Sequence, residues 1–174
     1  MDAVTKTPRS IDQVLAAVRA RLDRVTPRQA DAAVREQGAL LVDIRYAALR
    51  ARDGTVPGAL VVERNELEWR LDPQCDHRLP EAVHHGLRVI VLCNEGYASS
   101  LAAASLRELG LHRATDLVGG FQAWAAAGLP VDPPAPGRSE QSRSGRRQNG
   151  CRRTDGGAAD GRAVGRAVCA VPGV

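Results

Sequence analysis

The sequence has few aromatic side chains, a single lysine (Lys6), and no two cysteines spaced C-x-x-C. Aromatics make up 3% of its 174 residues, so a surface that stacks nucleic-acid bases on interleaved rings has little to be built from. The four cysteines, Cys75, Cys93, Cys151 and Cys169, lack the paired spacing of a zinc ribbon or a thioredoxin-type dithiol. No metal site is expected, and each cysteine has to be judged singly. Long apolar stretches are missing too. No unbroken apolar run is longer than Val89 to Cys93, far short of the roughly 20 residues of a membrane-spanning helix. Residues 1–10 hold charge and a proline but no apolar core of a secretory signal. The expected compartment is therefore the cytoplasm, where thiols stay reduced, and no membrane partner is expected.

The net charge of +4 is unevenly placed. Residues 133–174 carry eight arginines against three acids and contain no Leu, Ile, Met, Phe, Tyr or Trp. Such a segment has little to bury against the entropy of ordering it, so it reads as a disordered Arg/Gly/Ala-rich tail. Contact with nucleic acid would rest on this tail alone and is disfavoured, because the arginines have no aromatics between them.

The preceding residues are clearly punctuated. Ser10 to Gln13 and Thr26 to Gln29 are capping-box patterns, the second with Pro27 at the first helical position. Ile11, Val14, Leu15, Val18 and Leu22 then form one apolar stripe, so residues 1–23 hold an amphipathic helix. The second helix ends at Gly38, and Ala39 to Ile44 is an apolar run suited to a strand buried on both faces. The alternation continues with strands at 59–62, 88–93 and 114–118 and helices at 65–71, 99–109 and 121–127. That order predicts an α/β domain over residues 24–132, a parallel sheet with helices on both faces.

Ligands of open parallel sheets collect beyond the carboxyl ends of the strands, and Cys93 ends the strand 88–93. It is followed by Asn94-Glu95-Gly96-Tyr97-Ala98-Ser99 and then a helical pattern. A tight glycine loop opening a helix turns several backbone N–H groups toward whatever sits on the sulfur, which favours an anion there. Thiolate chemistry, or a persulfide held by the same amides, is the natural use of such a loop. The alternative is a buried, inert cysteine at a strand end.

Four segments in register resemble a single-domain rhodanese over about residues 24–131. They are Leu41-Val42-Asp43-Ile44-Arg45, Gly54-Thr55-Val56-Pro57-Gly58-Ala59, the loop Cys93 to Ser99, and Gly119-Gly120-Phe121-Gln122-Ala123-Trp124 with Gly128-Leu129-Pro130-Val131. The resemblance implies a five-stranded parallel α/β domain. It also implies a sulfurtransferase in which Cys93 takes a sulfane sulfur from a small-molecule or protein donor and passes it to a thiol acceptor. Asn94, Glu95, Gly96, Tyr97, Ala98 and Ser99 carry over as the anion and persulfide cradle, and Asp43 with Arg45 as a supporting pair after the family's second strand. Physically, that pair reads as a loop fastener joined by bidentate hydrogen bonds. No cofactor is implied.

Two departures bear on the substrate. Many rhodanese loops that handle thiosulfate place basic side chains beside the cysteine, whereas Asn94 and Glu95 stand here. A carboxylate repels a dianionic donor and opposes thiolate formation, so thiosulfate is expected to be a poor substrate. A phosphatase loop needs C-x5-R, but Ser99 occupies the sixth position after Cys93, which speaks against phosphate-ester hydrolysis. Tyr97 suits either packing or a pocket wall. Cys75 reads as an ordinary loop cysteine or as a resolving thiol for Cys93. Trp69, Phe121 and Trp124 are expected in the core. The competing function is a catalytically weak module that binds a partner or senses oxidation through the same pocket, a reading that Glu95 keeps alive.

Overall fold

The computed structural model describes residues 7–134. The tail expected at 133–174 therefore lies, beyond its first two residues, outside the described residues. Both capping boxes form. Ser10 accepts from the Gln13 amide while the Gln13 side chain accepts from the Ser10 amide, opening α1 (Ile11–Arg19), and Thr26 with Gln29 opens α2 (Pro27–Gln37) in the same way. Gly38, with a φ of 64°, ends α2 in the left-handed conformation that favours glycine.

There follow β1 (Leu40–Asp43), α3 (Ala47–Asp53), β2 (Leu60–Val61), α4 (Leu67–Leu71), β3 (Val89–Leu92), α5 (Ala98–Glu108), β4 (Thr115–Asp116) and α6 (Gly120–Ala126). The strands form one parallel sheet in the order β2-β1-β3-β4, with Val42 opposite both Leu60 and Val91. The four strands correct the five that the resemblance implies. At the β4 edge, Val25 makes only an isolated parallel bridge with Leu117, through Val25 N to Asp116 O (3.2 Å) and Val118 N to Val25 O (2.9 Å). The reason is local: Leu22 still closes a turn on Arg19, and Thr26 already caps α2, so too few residues are left to extend.

Period-two alternation along β3 splits the core in two. Val89 and Val91 face a cluster with Val18 and Leu22 near α1, Leu67 and Leu71 of α4, and Ala102, Ala103 and Leu106 of α5. Ile90 and Leu92 face Ala30 and Ala33 of α2 and Phe121 and Trp124 of α6. Each fully buried leucine here contributes about 2 kcal/mol. Helices thus cover both faces. Trp69 departs from the expected core: it is 59% exposed on a helix whose buried residues are Leu67 and Leu71. Beyond α6, Asp132 returns to pair antiparallel with Thr55 through two backbone hydrogen bonds of 3.0 and 2.8 Å.

Candidate active site

The carboxyl ends of β1 and β3 and the start of α5 surround a cavity of about 260 Å³. Cys93 lies on its wall and is 7% exposed. Its sulfur receives the backbone N–H of Gly96 at 3.2 Å and of Ser99 at 3.4 Å, and donates to Ser99 Oγ at 3.3 Å. Of the six loop residues singled out from sequence, two therefore direct amides at the resting sulfur. Asn94, Glu95, Tyr97 and Ala98 line the cavity instead.

The loop holds its shape because α6 starts directly against it. Phe121 N donates to the Cys93 carbonyl (2.8 Å) and Gln122 N to the Asn94 carbonyl (3.1 Å), so a helix N-terminus takes up the first two carbonyls of the loop. The approach requires Gly120, since a Cβ there would lie 2.3 Å from the Cys93 carbonyl oxygen. Gly96 is equally constrained, with a φ of 78° and a Cβ position 2.8 Å from the Gly119 amide nitrogen. Farther out, the Gln122 side chain donates to Asn94 Oδ1 and to Asp53 Oδ2. Hydrogen bonding from Arg52 holds the Asp53 carboxyl below the ordinary carboxylate value, against a smaller opposing push from desolvation.

Asp43 ends β1 and Arg45 follows two residues later, so the pair falls after the first strand of this sheet and not the second that the resemblance implies. Arg45 Nε reaches both carboxylate oxygens of Asp43 (3.1 and 3.0 Å), Nη2 reaches Oδ2 (2.7 Å) and the Gly54 carbonyl (2.9 Å), and the guanidinium stacks 3.6 Å from the Phe121 ring centroid. These partners tie the end of α3 to the sheet. Tyr46 and Tyr97, the only tyrosines in the sequence, both line the cavity while 70% and 56% exposed. The Arg19 guanidinium carbon sits 5.3 Å from the Tyr97 ring centroid. Cys75 lies in the turn after α4 and does not line the cavity.

Sequence reasoning missed several neighbours. Arg64 supplies a cation to the cavity wall, but Nη1 is bound to both carboxylate oxygens of Glu68 at 2.9 and 3.0 Å. Arg19 and Arg24 both donate to the Gly96 carbonyl, at 2.8 and 3.3 Å, from the far side of the loop. Asp116, fully buried in β4, accepts from Arg24, Ser99 and Ser100. The available signal was an acid inside the apolar run Ala114 to Val118, a position that demands a cation partner.

This geometry coincides with a known family. Residues 26–127 match the model of the Rhodanese-like domain, and the chain belongs to that family. It is 31% identical over 112 residues to thiosulfate sulfurtransferase GlpE of Actinobacillus pleuropneumoniae serotype 5b (strain L20), covering 62% of this chain and 91% of that protein. Among solved structures, a protein of unknown function from Rhodopseudomonas palustris CGA009, described as a "Possible Tyrosine Phosphatase", superposes with a TM-score of 0.65. It is 28% identical and covers 75% of this chain and all of its own. A thiosulfate sulfurtransferase from Pseudomonas aeruginosa gives a TM-score of 0.52 at 25% identity, over 64% of this chain and 19% of that one. No helix among the described residues is long and apolar enough to cross a membrane.

Proposed function

We propose that the protein is a sulfurtransferase that works through a persulfide on Cys93. The observation that carries this reading is the convergence of the Gly96 and Ser99 amides on a thiol in the wall of an open cavity. Such donors stabilise an anion on Cys93, whether it rests on the cysteine sulfur or on a second sulfur attached to it. The Cys93 thiolate attacks the sulfane sulfur of a donor. The new S–S bond forms as the bond to the donor's leaving group breaks, and that group departs with the electron pair. An acceptor thiolate or cyanide then attacks the outer sulfur, and Cys93 leaves as thiolate. Neither step calls for a metal or an organic cofactor.

The cavity wall favours thiol-borne sulfane donors over thiosulfate. Among the described residues, Arg64 is paired with Glu68 through Nη1 and Arg45 with Asp43, with the buried Arg45 Nη1 left without a partner, whereas Glu95 has no cation partner and hydrogen-bonds only the Asn94 side-chain amide. The rest of the wall is Ile44, Leu49, Ala98 and the two tyrosines, surfaces that suit the organic part of a donor. Phosphate-ester hydrolysis has no comparable support, since Ser99 stands where a phosphatase loop carries its arginine. The test is mass spectrometry of Cys93 after exposure to thiosulfate or to an organic persulfide, followed by release with cyanide or dithiothreitol. A one-sulfur adduct on Cys93, released by acceptor, supports the reading. Failure of every donor to load sulfur overturns it in favour of a binding module.

A further inference from the structure

Asp116 is a buried charge that this mechanism does not use. A carboxylate inside a parallel sheet is costly unless its oxygens are satisfied and its charge is matched. Arg24 does both, with Nε 2.8 Å from Oδ1 and Nη2 3.0 Å from Oδ2. Oδ2 also accepts the hydroxyls of Ser100 at 2.7 Å and Ser99 at 3.3 Å. Ser99 Oγ is in turn 3.3 Å from the Cys93 sulfur. Two hydrogen bonds therefore link the reacting sulfur to an ion pair whose carboxylate is buried and whose guanidinium is partly exposed.

Ser99 has one hydroxyl proton. While Cys93 is a thiol, S–H donates to Ser99 Oγ, and the Ser99 proton is free to bond Asp116. Once Cys93 is a thiolate it can only accept, so the Ser99 proton has to turn from the carboxylate to the sulfur. Asp116 thus competes with the thiolate for that proton, and its negative charge opposes a second anion nearby. Arg24 offsets both effects, because it matches the charge and, with Ser100, leaves Asp116 well bonded when Ser99 turns away. Arg24 lies outside the family-matched residues 26–127, on the short segment between α1 and α2.

We propose that Arg24 and Asp116, acting through Ser99, are positioning residues with opposite effects on the ionisation of Cys93. This deepens the sulfurtransferase reading by naming what governs its nucleophile. The other charged and titratable groups around the sulfur are Glu95, Arg64 with Glu68, Arg45 with Asp43, Tyr46 and Tyr97 on the cavity side, and Arg19 behind the loop. All are retained in the comparison below; Arg24→Gln also removes the 3.3 Å hydrogen bond to the Gly96 carbonyl, which Arg19 still holds at 2.8 Å.

The test is the pH profile of alkylation of the full chain by iodoacetamide, a neutral probe, followed at Cys93 by peptide mass spectrometry with Cys75 as internal control. In Arg24→Gln the Cys93 profile should move to higher pH with an unchanged plateau, slowing the reaction near neutrality by about threefold to tenfold. In Asp116→Asn it should move to lower pH. The double variant should return to within about twofold of the parent. Should Arg24→Gln fail to fold, Asp116→Asn is compared with the double variant, in which no buried carboxylate is left unpaired. The profile should then move upward when Arg24 is removed. Displacement of both single variants in the same direction, or a lowered plateau with no displacement, would show a purely structural pair and overturn the proposal. The readout needs no sulfur donor, so it stands apart from any failure of the sulfurtransferase reading.

Discussion

Gly120 opens α6 and Cys93 stands just past β3, yet the two lie so close that a Cβ added to Gly120 would sit 2.3 Å from the Cys93 carbonyl oxygen. The double-glycine motif is therefore a docking surface for the cysteine loop. It lets the first amides of α6 reach the carbonyls of Cys93 and Asn94.

Gly120→Ala should accordingly destabilise the domain by about 2 kcal/mol or more, combining left-handed strain with a clash against backbone. Gly128→Ala is the control, because Gly128 shares the positive φ but has nothing within 4 Å of its Cβ position. It should cost about 1 kcal/mol. Urea unfolding of both variants checks this, and equal losses would refute the docking role.

Cys93→Ser should abolish sulfur transfer, and Cys75→Ser should leave it within about twofold of the parent, since Cys75 does not line the cavity. Turnover assays on the two variants decide the matter. Comparable losses would mean that Cys75 resolves a disulfide with Cys93.

Glu95→Gln should raise turnover with thiosulfate by about fivefold while changing turnover with an uncharged organic polysulfide donor little. Glu95→Arg should do so more strongly, and the advantage should shrink as salt is added. Donor preference unchanged in both variants would place the carboxylate out of reach of the donor.

Removal of residues 138–174 should leave the melting temperature within about two degrees, because that segment has no large apolar side chain to contribute. Any affinity for nucleic acid should fall in the shortened chain, together with its salt dependence. A large thermal loss would show that Val164, Val168 or Val171 docks on the domain.

Much of this architecture was legible because it is written in local chemistry. Both capping boxes, the strand 88–93 and the glycine loop after Cys93 depend on neighbours within a few residues. What was not legible depends on distance or on weak periodicity. α3 has no side-chain cap and no buried residue, so it leaves no apolar stripe to read. β2 and β4 shrink to two residues each because the chain turns away into loops and caps. Trp69 looked like core by residue type, but α4 buries its leucines instead. Arg24 and Asp116 are 92 positions apart, and only the fold reveals that one answers the charge of the other.

The tie between Thr55 and Asp132 and the grip of Arg19 and Arg24 on Gly96 each involve residues outside 26–127, one set beyond each end of that stretch. A segment trimmed to the stretch shared with relatives would keep the cysteine and lose both fastenings. In a fusion protein or a grafted module, the junctions therefore belong ahead of Ser10 and beyond Asp132. The inherited region and the mechanical unit have different borders, and engineering should follow the latter.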